Sequence, residues 1–177
     1  MPTAALSDPH AQLTAPDTLV LRRHLAASAE CVWAHLTDSD LRERWLAAGT
    51  MVLQPGSPFE LVWRNDALSA SSSERPAGFP AESRATCVLT EVVPLRTLRF
   101  TWPDVGDVRF DLAPDGDGVL LTVTHRRLAD RAMALLVGAG WHMHLDILVA
   151  RVEGTTPASF WAGWARLRAE YDQRLPD

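Results

Sequence analysis

The chain has 177 residues and a net charge of −5, from 22 acidic and 17 basic residues, enough for one domain with a sizeable core. All of the basic residues are arginine, and they form no run or stripe, which argues against nucleic acid as a partner and against a polybasic membrane anchor. The composition is globular, no apolar run approaches the ~18 residues of a membrane span, and no basic-then-apolar leader is visible, so the expectation is no membrane and a cytoplasmic location.

Residues 1–16 mix Pro, Ala, Ser and Thr without period and read as a flexible tail before a single domain over residues 17–177. Thr18 to Ala26 reads as a first strand. Ser28 is a candidate N-cap for a helix running through Val32, Trp33 and Leu36 to about Thr37, with Glu30 in its first turn. Asp38 or Ser39 can cap a second short helix, Leu41 to Ala47, which carries Trp45 and ends at Gly49. Phe59, Leu61 and Trp63 alternate with Glu60, Val62 and Arg64 as in a strand. Asn65 to Ser83 has no period and is rich in Ser, Pro and Gly, so it reads as a long mobile loop.

Four strands follow: Arg84 to Val93, Thr97 to Trp102, Asp107 to Leu112 and Gly118 to Arg127. Pro114-Asp115-Gly116-Asp117-Gly118 is a strong hairpin signal. A long helix from about Ala129 carries Trp141, Leu145, Leu148 and Val152 at helical spacing, and Gly154 stops it. A last helix, residues 157–175, carries Phe160, Trp164, Leu167, Tyr171 and Leu175. The order is α+β, helices segregated from a mainly antiparallel sheet.

The run from Leu21 to Trp45 resembles the opening of the bacterial family related to the activator of the ninety-kilodalton heat-shock-protein ATPase. Val32-Trp33, Thr37-Asp38, Leu41 and Trp45 carry that resemblance, and Glu91 to Pro94, Leu98 to Trp102 and Gly140-Trp141 to Gly154 look like its later landmarks. The resemblance spans roughly residues 17–154. The family lies in the START-like, or SRPBCC, superfamily, whose fold resembles the birch-pollen allergen. It implies a helix-grip fold: a curved antiparallel sheet of about seven strands around a long C-terminal helix, with two short helices after strand one and here an extra terminal helix. Superfamily members bind lipids, sterols, polyketides or other apolar molecules in the resulting cavity, and some cyclise or hydrolyse them. The eukaryotic namesake acts on a chaperone and has a second domain, for which 177 residues leave no room.

The residues offer few chemical groups to set against a structural role. Trp33, Trp45, Trp63, Trp102 and Trp141 can line a cavity or simply fill space around the long helix. His144 lies beside the Trp141–Leu145 stripe and can face a ligand head group or be a satisfied core histidine. His142 and Asp146, four residues apart, read as a surface pair. Glu91 reads as the partner of an arginine such as Arg84, Arg99 or Arg109. Cys31 and Cys87 read as buried free thiols. No nucleophile elbow, phosphate loop or metal-spaced Cys/His cluster occurs, so no catalytic residue, no metal and no cofactor is expected.

The reading is a small apolar or amphipathic ligand bound between helix and sheet, by Trp63, Phe100, Trp102, Phe110, Trp141, His144 and Leu148. The alternatives are a co-chaperone-like interaction module with a chaperone partner, or an enzyme of the cyclase or hydrolase type. Nothing in the pattern sets an oligomeric state.

Overall fold

Alternating apolar residues and strong turn signals produce one antiparallel sheet, seen in a computed structural model that describes residues 8–177. The strands are β1 (Gln12–Ala15), β2 (Thr18–Leu25), β3 (Pro58–Trp63), β4 (Ser83–Val93), β5 (Thr97–Trp102), β6 (Gly106–Asp115) and β7 (Gly118–Arg126). Their spatial order is β1-β2-β7-β6-β5-β4-β3. Short hairpins link β4 to β7 in turn, and a longer segment joins β3 to its neighbour β4. The segment after β2 instead carries α1 (Ala29–Thr37) and α2 (Ser39–Glu43) across to the far edge, where β3 begins. Phe59, Leu61 and Trp63, then Leu98 and Phe100, then Val108, Phe110 and Leu112, turn to one face and are buried there. Each such side chain contributes roughly 1.5–3 kcal/mol by leaving water.

Local chemistry sets the helix ends. Ser28 Oγ accepts from the Cys31 N–H, and Asp38 Oδ1 accepts from the Leu41 N–H. The long helix α3 (Arg131–Glu153) starts where Asp130 Oδ1 accepts from the Met133 N–H. It stops at Gly154, whose φ of 72° is the left-handed conformation. α3 is buried on nearly every side, rather than along one narrow stripe, because α4 (Phe160–Arg174) covers the flank that the sheet leaves open. Gly163 permits that approach: a Cβ there would lie 2.3 Å from Met143 Sδ. By length and composition α3 could cross a membrane, contrary to the sequence expectation, yet 67% of its most apolar stretch is buried inside this fold.

Three local expectations change. Residues 1–7 of the expected tail lie outside the described residues, but Gln12–Ala15 is an edge strand paired with β2, and the Ala11 N–H donates to Tyr171 Oη at 2.6 Å. An edge strand that is mostly exposed has no apolar alternation to betray it. The segment 65–83 holds two 3₁₀ turns, Asn65–Leu68 and Ser72–Glu74, and is fastened to α4. Finally, Cys31 is exposed, because the buried face of α1 is Val32, Trp33 and Leu36; Cys87 is buried.

Candidate functional site: an aromatic cavity

Near β3, residues of the sheet, α3 and α4 surround a half-open cavity of about 240 Å³. Trp63 and Trp102 form its sheet-side wall, stacked with ring centroids 4.8 Å apart and planes 14° from parallel. Their strands are separated by β4, whose Ser83, Arg84 and Ala85 also border the cavity. Trp141 lines it from α3. Phe160, Trp161 and Trp164 enter from α4, and Phe79 from the 65–83 segment packs edge-on against Trp161 and Trp164. Five of the seven tryptophans therefore meet at one site. Gly140 lies in the same wall, and a Cβ built there would meet nothing within 4 Å.

Two histidines fix this wall from behind and from within. His125 Nε2–H donates to the Val105 carbonyl at 3.0 Å, so its Nδ1 is the bare nitrogen; it accepts from Trp141 Nε1–H at 3.0 Å. The indole is thereby locked in rotation, and burial pushes the His125 pKa down to about 4. His144 lines the cavity under Phe160, with ring centroids 4.4 Å apart. Its Nδ1–H donates to the Trp45 carbonyl at 2.7 Å, which leaves Nε2 as a lone pair. Burial lowers the His144 pKa to about 4, so the ring is neutral at pH 7. Asn65, on the segment that closes the cavity, has a buried Oδ1 without a hydrogen-bond partner.

Of the residues expected at a ligand site, the fold brings Trp63, Trp102, Trp141 and His144 together around the cavity. Phe100, Phe110 and Leu148 sit instead in the packed core, each 2% exposed or less, and do not border it. Phe110 supports the site indirectly, edge-on to Trp141 at 5.6 Å. Phe79, Phe160, Trp161, Trp164 and Asn65 were not expected there. The aromatic ones were visible in the loop and the last helix, but no periodicity relates those segments to the sheet.

The 65–83 segment is held over the site by bonds to the start of α4. Trp161 Nε1–H donates to Asp66 Oδ1 at 2.8 Å, the Trp161 N–H to Ser69 Oγ at 3.1 Å and the Ala70 N–H to Ser159 Oγ at 2.9 Å. Arg75 pairs with the other Asp66 oxygen at 2.7 Å.

The other ionisable candidates from the sequence are engaged with neighbours inside the fold. His142 is buried rather than on the surface. It shares a hydrogen bond of 2.9 Å with Tyr171 Oη, and burial with the nearby Arg23 charge lowers its pKa to about 3. Asp146 pairs mainly with Arg23 at 2.9 Å. Glu91 pairs with Arg109 at 2.9 Å. Among the described residues no group of three or more His, Cys, Asp or Glu is placed to hold a metal ion.

The sequence pattern of the family described as "Activator of Hsp90 ATPase homolog 1-like protein" matches residues 26–153, which include every strand from β3 to β7 and all of α3. The chain belongs to this family. A Bordetella parapertussis protein solved by solution NMR is 37% identical, with 99% of this chain and 95% of that one covered and a TM-score of 0.80. CalU16 from Micromonospora echinospora shares the fold at 23% identity, covering 88% of this chain and 86% of its own, with a TM-score of 0.65. DynU16, described as a putative protein in the dynemicin biosynthetic locus, shares it at 18% identity over 80% of this chain and 49% of that one, with a TM-score of 0.62. No curated protein matches the sequence.

Proposed function

We propose that this member of the family binds a small, flat, largely apolar molecule in the aromatic cavity. The observation that carries the reading is the convergence of Trp63, Trp102, Trp141, Trp161 and Trp164 on one half-open space of about 240 Å³. A molecule of that size occupies roughly the volume of eight waters, at about 30 Å³ each, and two fused rings fit it. Apolar concave walls with few polar groups are the usual chemistry of small-molecule recognition. A filled centre would have favoured the interaction-module reading and a chaperone partner. A cyclase or hydrolase would need ionisable groups converging in the site, and His144 has neither a carboxylate nor a nucleophile among its hydrogen-bond partners.

The test is tryptophan fluorescence during titration with naphthalene-sized aromatic ligands and with fatty acids, on the wild type and on Gly140→Leu. The wild type should show a saturable change with the aromatic ligands. Gly140→Leu puts a side chain into the open space and should weaken binding about tenfold or more, while the fold is kept because replacing a helical glycine restores propensity. Absence of any saturable change in the wild type, or equal affinity in Gly140→Leu, would rule out this cavity as the binding site.

A further inference from the structure

An aromatic cavity whose polar groups were all satisfied by the protein would select for shape alone. This one has a polar group that is not. His144 offers Nε2 as a lone pair, because its only N–H is committed to the Trp45 carbonyl. His144 lines the cavity, whereas the unpartnered Asn65 Oδ1 is closed off from water and so from a ligand entering the same space. A buried acceptor without a donor gives up its hydration for nothing in return, and native structures seldom carry one without a reason. The basic group at the rim, Arg84, is already engaged by Glu82 at 2.7 Å and faces Glu60 at 3.5 Å, so it is poorly placed to demand an anionic ligand.

We infer that the ligand is a planar aromatic molecule bearing a hydroxyl or amine hydrogen-bond donor, which His144 Nε2 accepts while the tryptophans hold the ring. This rests on the cavity-binding reading above and sharpens it. A hydrocarbon fills the walls but leaves that acceptor bare. A carboxylate brings only more acceptors to it and is disfavoured. A phenol, an arylamine or an indole supplies what is missing.

The experiment compares 2-naphthol, 2-methoxynaphthalene, naphthalene and 2-naphthoate by fluorescence titration or calorimetry at pH 7. The ring system is constant and only the donor changes. 2-Naphthol should bind about tenfold more tightly than 2-methoxynaphthalene, the worth of one net hydrogen bond, and 2-naphthoate should bind no better than naphthalene. His144→Phe should erase the preference while keeping affinity for naphthalene. Because His144 also ties α3 to Trp45, His144→Gln serves as a second variant. Its amide oxygen offers an acceptor in place of Nε2 and should restore part of the preference for 2-naphthol. A positioning role in the fold alone would leave the preference unchanged in both variants. Equal affinities for 2-naphthol and its methyl ether, a preference for 2-naphthoate, or a preference that survives in His144→Phe would overturn the inference and leave cavity binding intact. Failure of every probe to bind would overturn both.

Discussion

Arg42 shows how one residue organises a region that propensity leaves undetermined. It is 1% exposed, and no carboxylate pairs with it among the described residues. Its guanidinium donates instead to four backbone carbonyls: Leu36 at 3.1 Å, Thr37 at 3.3 Å, Ala47 at 3.1 Å, and Gly49. These are the unpaired ends of α1 and the turn after α2, groups that burial would otherwise leave orphaned. Burial lowers the Arg42 pKa to about 10, which still leaves it charged at neutral pH. Arg42→Met keeps much of the apolar stem but removes every donor. It should cost about 3–5 kcal/mol, the scale for stripping a partner from a buried charged network, with urea denaturation as the measurement. A loss below about 1 kcal/mol would mean that water replaces the guanidinium without penalty. Trp45, which this region positions, is wholly buried and donates to the His35 carbonyl at 2.9 Å, so the loss would spread toward His144 through the Trp45 carbonyl.

At the scale of elements, the 65–83 segment is the clearest departure from what the sequence suggests. Its composition argues for mobility, since it offers little apolar area to offset the entropy of ordering. In the fold, Asp66 accepts from both Trp161 Nε1 and Arg75, and Phe79 packs on two tryptophans of α4. Asp66→Ala removes both bonds at once. Limited proteolysis should then cut within 65–83 far faster than in the wild type, while cleavage elsewhere is unchanged; equal rates would show that the aromatic contacts alone hold the segment.

The strands and helices themselves were legible because a period of two or of 3.6 survives in one stretch of chain, as in Phe59-Leu61-Trp63 or Trp141-Leu145-Leu148. Their caps were legible for the same reason: Ser28, Asp38 and Gly154 act on neighbours in sequence. Trp63, Trp102, Trp141 and His144 could be placed at the cavity because they belong to those periodic elements. Asn65, Phe79, Trp161 and Trp164 could not, since what brings them to the site is a set of contacts between segments about 80–95 residues apart, such as Asp66 with Trp161. β1 escaped for a related reason. Its place is fixed by pairing with β2 and by Tyr171, not by a pattern of its own.

For the whole molecule, three histidines from two elements, β7 and α3, share one electrostatic fate. His125, His142 and His144 are each no more than 5% exposed, and burial lowers their pKa values from 6.5 to about 4, about 3 and about 4. In the unfolded chain they bind protons near pH 6.5; in the folded chain they resist until far lower pH. Between those limits the unfolded state holds more protons, so acidification favours it. The stabilisation is fully present above about pH 6.5 and is lost as the pH falls through 4 toward 3. The carboxylates act in the same direction. His10 hydrogen bonds to Asp8 lower its pKa to about 2, and bonds from His10 and Arg166 lower that of Glu170, so their contribution is also lost in acid.

A tenfold change in proton affinity corresponds to about 1.4 kcal/mol, so the buried imidazoles alone amount to several kcal/mol, a large part of a typical domain's stability. The expected outcome is a thermal midpoint flat from pH 7 to 8 that falls steadily below pH 6, with unfolding near pH 4. The same protonation would convert His144 from an acceptor to a donor and release Trp141 from His125, so the tryptophan fluorescence should change together with the loss of structure followed by circular dichroism. His125→Gln separates the contributions: it leaves one fewer group to protonate and should make the acid slope shallower while lowering the midpoint at pH 7. An acid slope equal to that of the wild type would show that His125 is not among the groups that set the pH dependence of the fold.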